Sequence, residues 1–183
     1  MFIILSLYQR YHNIIRHYKK WKSLHPDTWI EHSVNQSSLS DAIKAAASCF
    51  DHNGRKHPHQ YRLQIQHLKQ YEDSLLLHLN AIQNVQHFSQ LIRIVENAKV
   101  KGIGELAIYD TAVRIGAYLN LFPDLIYLHA GARIGAQGIL GKLDSDVLDK
   151  RALPEPFSLS DLTCYELEDI LCIYKAIFNR RRK

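Results

Sequence analysis

The sequence predicts an all-α fold, a single compact multi-helix domain of about six to eight helices. Three observations carry that expectation. Apolar residues recur at three- and four-residue steps through most of the chain. Two capping boxes, Ser38-Leu39-Ser40-Asp41 and Thr163-Cys164-Tyr165-Glu166, mark helix starts. No segment alternates convincingly with the period of two that a half-buried strand requires.

Residues 2–24 place Leu7, Tyr11, Ile14, Tyr18 and Trp21 along one stripe, with Arg10, Arg16, Lys19, Lys20 and Lys22 largely between them. This is a basic amphipathic helix, and His25-Pro26-Asp27 ends it. Its large aromatics suit an interface, so a protein partner or a second copy of the chain is expected to use residues 1–24. Residues 33–38 form a polar linker, which places a boundary between an N-terminal helix and linker, 1–35, and the main helical domain, 36–183. The first capping box opens a helix to about Phe50. Residues 51–59 form a loop punctuated by Gly54 and Pro58. Helices are expected over about 60–79, 88–98, 105–119 and 164–178, and these four supply the core. Gly131, Gly135, Gly138 and Gly141 recur at three- and four-residue steps, spacing that lets a helix pack close to another backbone or breaks it. Residues 142–157, with Pro154 and Pro156, read as a loop.

Composition excludes several classes. The formal charge is +5 and hydrophobic residues make up 46%, an ordinary globular balance. No apolar run approaches the ~20 residues of a membrane span. The apolar start Met1-Phe2-Ile3-Ile4-Leu5 lacks a basic flank and a small-residue cleavage pattern, so a signal peptide is not expected. Cys49, Cys164 and Cys172 make neither a closed disulfide framework nor a Cys-x-x-Cys knuckle, and a reducing cytoplasm is the expected location. The charge is uneven. Residues 1–102 carry 13 Lys/Arg against 7 Asp/Glu, residues 103–179 carry 6 against 11, and Arg180-Arg181-Arg182-Lys183 adds four cations at the end. Either the first half and the tail face phosphates, or these are solvated helix faces.

The most informative stretch is 88–119, in which a helix, the turn Val100-Lys101-Gly102-Ile103-Gly104 and a second helix follow one another. Glycines allow backbone conformations closed to other residues, and Ile103 between them can plug the turn into a core. The N–H groups opening the second helix then face outward as an anion site flanked by Lys99 and Lys101. The turn resembles the helix-hairpin-helix motif of DNA-binding and DNA-repair proteins, with the hairpin at 99–105. The resemblance implies largely sequence-independent contact with the phosphate backbone of duplex DNA through Lys99, Lys101, Gly102, Ile103 and Gly104, with Arg114 and Arg133 as further basic contacts. The plain reading is a structural turn.

Tyr109-Asp110-Thr111-Ala112-Val113-Arg114 resembles the helix of base-excision DNA glycosylases that reads V-D-T-x-V-x-R. That resemblance implies a catalytic role for Asp110 in a glycosylase- or lyase-like enzyme. Asp110 and Arg114 equally suit an ion pair at i,i+4. His129 is a second catalytic candidate, in an apolar setting that also suits a core histidine. With Arg133 one turn on, Asp110, Arg114, His129 and Arg133 converge if the Gly-rich helix packs on the hairpin's second helix. The cluster His52, Arg55, Lys56, His57, His59, Gln60 and Arg62 reads as a basic exposed loop. His57-Pro58-His59 with His67 matches no metal-ligand spacing, so no metal is expected. No phosphate-binding loop or dinucleotide fingerprint is present, so no cofactor is expected either. A DNA-binding protein is therefore the leading expectation. The alternatives are a DNA-processing enzyme and a helical interaction protein that touches no nucleic acid.

Overall fold

The computed structural model describes residues 2–179, with side chains from Leu7 onward; the basic tail Arg180–Lys183 lies outside the described residues. The chain is mostly helical, as expected, but it forms two compact units: Asp27–Phe122, and Met1–Pro26 together with Pro123–Lys183. The four helices expected to build one core are thus divided between two. No described helix is long and apolar enough to cross a membrane.

The Asp27–Phe122 unit contains α2 (Thr28–Val34), α3 (Leu39–Ser48), a 3-10 turn (Pro58–Gln60), α4 (Ile65–Leu76), α5 (Leu79–Gln83), α6 (Phe88–Asn97) and α7 (Glu105–Tyr118). The boundary expected at residue 35 falls instead at residue 26. Asp27 caps α2 by accepting from the N–H groups of Trp29 and Ile30, and α2 packs on α3 and α7. Ser38 caps α3 as its sequence predicts, accepting from Asp41 N–H. The long helix expected over 60–79 is interrupted, stopping at Leu76 and resuming at Leu79.

Helix α7 is the axis of this unit. It packs against α2, α3 and α6, and nine of its 14 residues are buried. Around it lie Ala42, Ile43, Ala46, Leu91 and Val95, all at most 2% exposed. Its C-terminus closes in a Schellman motif: Asn120 takes a left-handed φ of 57°, Leu121 N–H donates to Gly116 O at 2.7 Å, and Asn120 N–H donates to Ala117 O at 3.2 Å.

The other unit contains α1 (Phe2–Leu24), α8 (Ala130–Leu140), α9 (Cys164–Ile173) and α10 (Lys175–Phe178). A two-residue antiparallel pair joins β1 (Ile126–Tyr127) to β2 (Val147–Leu148), and β2 lies within 142–157, the segment expected to be loop. The glycine spacing of α8 achieves close approach to α9. A Cβ on Gly135 would lie 2.0 Å from Leu171 O, and one on Gly131 would lie 2.3 Å from Cys172 Sγ. The Gly-rich helix therefore packs on α9 and α10 within its own unit.

Helix α1 joins the same core. Ile14, Ile15 and Tyr18 are buried in it, and Tyr11 packs on the rings of Phe157 and Phe178. The Tyr18 hydroxyl donates to Asp169 Oδ2 at 2.7 Å. Two of the three aromatics expected to offer an interface are thus used internally, while Trp21 stays 41% exposed. Two cations of α1's basic face are paired within the unit: Lys22 with Glu166 at 3.1 Å and Lys19 with Asp161 at 2.5 Å.

Candidate functional site

Two features of the Asp27–Phe122 unit gather chemistry-bearing groups, and both are built on α7. The first lies on the flank of that helix. Phe50 and Lys56 form an antiparallel bridge, and His57 N–H donates to Cys49 O at 2.9 Å, which closes residues 49–57 into a tight hairpin. Asp51 holds its tip. Its Oδ1 accepts from the N–H groups of Asn53 (2.9 Å) and Arg55 (2.8 Å), and its Oδ2 accepts from Arg55 Nε (2.8 Å) and the Thr28 hydroxyl (2.9 Å). Burial alone would raise the Asp51 carboxyl. The donors from Arg55, Thr28 and Asn53 outweigh it and hold the group well below the ordinary carboxylate range. Gly54 turns the tip with φ 73°. Trp29 Nε1–H donates to Arg55 O at 2.9 Å, and the Trp29 ring meets His57 edge-on.

This hairpin delivers His57 and His59 to Asp110 on α7. Asp110 Oδ2 lies 3.6 Å from His57 Nδ1 and 3.4 Å from His59 Nδ1. One donor atom from each of the three residues falls within 4.8 Å of the others. Gln60 Nε2 donates to the same carboxylate oxygen at 3.3 Å, and Gln60 Oε1 accepts from Arg114 Nη1 at 3.1 Å. Gln60 and Arg114 are 2% and 3% exposed. Burial, with the Arg114 cation next, pushes the His57 imidazole down to about 4, so it is neutral at pH 7. Sequence spacing gives His57-Pro58-His59 no carboxylate partner; the fold brings Asp110 to them from 53 and 51 residues further on.

The second feature is the turn between α6 and α7. Gly102 takes φ 94°, and a Cβ there would lie 2.5 Å from His67 Nδ1. Ile103 is 2% exposed and anchors the turn, while Lys99, Lys101, Gly102, Gly104 and Glu105 are exposed. Gly104 is the N-cap of α7 in an extended conformation, and no side chain caps that end. A Cβ on Gly104 would meet nothing within 4 Å. The turn thus presents uncapped amides behind open space. Among the described residues neither Lys99 nor Lys101 is in an ion pair. Glu105, on the first turn of α7, is the acidic group beside them.

The remaining candidates fall elsewhere. Arg114 is no surface cation; it is buried and donates to Ala46 O and Gln60 Oε1, both at 3.1 Å, which replaces the expected phosphate contact with an internal one. His129 and Arg133 belong to the other unit. His129 is the N-cap residue of α8, its ring stacked on Tyr127, and Arg133 pairs with Asp146. The side chains gathered at Asp110 are accordingly His57, His59 and Gln60. Searches against protein-family models, curated proteins and solved structures found no match to this chain.

Proposed function

We propose that the Asp27–Phe122 unit binds the phosphate backbone of duplex DNA through the turn between α6 and α7, used as a helix-hairpin-helix. The observation that carries this reading is the division of labour within four residues. Ile103 is buried, and Lys101, Gly102 and Gly104 on either side of it are exposed ahead of an uncapped helix start. Peptide N–H groups at a helix N-terminus favour an anion, and Lys99 and Lys101 add two mobile cations beside them. Such contacts position a duplex without reading its bases.

The unit holds nine Lys/Arg and nine Asp/Glu, so its attraction for DNA is local to the turn. Binding is therefore weak and its salt dependence shallow. With two lysines as phosphate contacts, log affinity falls against log salt with a slope of about −2. Fluorescence anisotropy of a labelled duplex titrated with the full chain at several salt concentrations measures it. Saturable binding at low salt, the same for unrelated sequences and with that slope, is the expected result. Absence of binding at low salt, or binding indifferent to Lys99→Ala with Lys101→Ala, contradicts the reading.

A further inference from the structure

We propose that His57, His59 and Asp110 bind one divalent transition-metal ion, with zinc the best match to the donor set, and leave a coordination position open to solvent. The proposal is independent of DNA binding, since it rests on the flank of α7 and on no residue of the turn.

The donors are two imidazole nitrogens and one carboxylate oxygen, the mixture that borderline metal ions take in sites with an open position. Spacing is the sharper observation. A histidine hydrogen-bonded to a carboxylate sits at about 2.7–2.9 Å. Donors sharing a tetrahedral ion through bonds of about 2.0–2.1 Å are instead separated by roughly 3.3 Å. The distances from Asp110 Oδ2 to the two Nδ1 atoms, 3.4 and 3.6 Å, are near the shared-ion spacing and exceed the hydrogen bond, and all three donors fall within 4.8 Å.

The supporting groups are oriented for the same task. A guanidinium only donates, so Arg114 forces the Gln60 amide to turn its oxygen inward and its NH2 group toward Asp110. Asp110 is thus held as an acceptor by a side chain that is itself fixed, the arrangement expected around a ligating carboxylate. The His57 backbone is tied to Cys49, and Pro58 fixes the φ between the two histidines. His57 Nδ1 accepts from His59 N–H at 3.3 Å, a long hydrogen bond that a metal on this nitrogen would replace. The His59 side chain, 47% exposed, opens the site to solvent.

The test uses the full chain stripped of metal with a chelator. Cobalt(II) is titrated with its visible absorption as readout, and zinc is titrated by calorimetry. One equivalent per chain is expected, with a tetrahedral cobalt spectrum that zinc bleaches and excess magnesium does not. His59→Ala removes an exposed ligand without opening the core, and it weakens zinc at least tenfold. Asp110→Asn, which keeps the side chain's shape, does the same. His52→Ala and His67→Ala leave affinity unchanged. Should Asp110→Asn fail to fold, His59→Ala decides alone. Lack of saturable cobalt or zinc binding, or binding that survives His59→Ala undiminished, overturns the proposal.

Discussion

At the scale of single residues, the two glycines of the α6–α7 turn make opposite demands. Gly102 combines φ 94° with a neighbour 2.5 Å from any Cβ, so Gly102→Ala is expected to destabilise the Asp27–Phe122 unit by about 1–3 kcal/mol, read from denaturant melts. Gly104 has ordinary backbone angles and open space before it. Gly104→Ser is therefore expected to hold or raise the melting temperature, because serine is a good N-cap, yet to weaken duplex binding by filling the approach to the amides. Equal losses of stability and binding in both variants would contradict this distinction. These two positions were conspicuous in the sequence because Gly-Ile-Gly is a local pattern. The cluster at Asp110 was not. His57 and His59 gain their carboxylate from Asp110, 53 and 51 residues further on, and Arg114, expected as a phosphate contact, is buried because α7 is surrounded on several sides. A long-range contact leaves no periodic trace in one sequence.

At the scale of elements, the caps were the most legible features. Thr163 and Glu166 form the reciprocal box their spacing predicts, and Ser38 caps α3. The Glu166 carboxylate also pairs with Lys22 on α1. Burial pushes its pKa up, but Thr163 N–H and Lys22 prevail and lower it. A carboxyl lowered in the folded state contributes stability above its ordinary pKa, near 4.5, and that contribution is lost as pH falls through the folded value. The urea midpoint of the unit containing α1 and α9 is thus expected to drop on acidification below this range. In Glu166→Gln that part of the pH dependence disappears, and an unaltered pH profile would show that the pairing is not sensed. The glycine spacing of α8 announced a close contact without naming its partner. Because a Cβ on Gly135 would fall 2.0 Å from a backbone carbonyl of α9, Gly135→Ala is expected to cost about 3 kcal/mol. A melt within a few tenths of wild type would refute that packing.

At the scale of the whole molecule, the all-α class was legible because helical periodicity is local and repeated. The division into two units was not. Helix α1 and the described residues from Pro123 onward build one core, while the contiguous Asp27–Phe122 segment builds another between them in sequence. An N-terminal helix completing a C-terminal bundle is invisible to patterns read along the chain. Two of its basic residues, Lys19 and Lys22, which suggested a phosphate-facing surface, instead pair with acidic residues of α9 and the segment before it. A fragment spanning 27–122 is expected to fold alone, with helical circular dichroism and a cooperative melt; a fragment without a melting transition would contradict its independence. The proposed DNA contact requires that this unit present peptide amides at the α6–α7 turn to a phosphate. The most direct measurement is the amide NMR spectrum of the labelled protein titrated with an unlabelled duplex at low salt. Shifts concentrated at residues 101–107, and diminished in Gly104→Ser, are expected. Shifts confined to other surfaces, or none on addition of duplex, would contradict it.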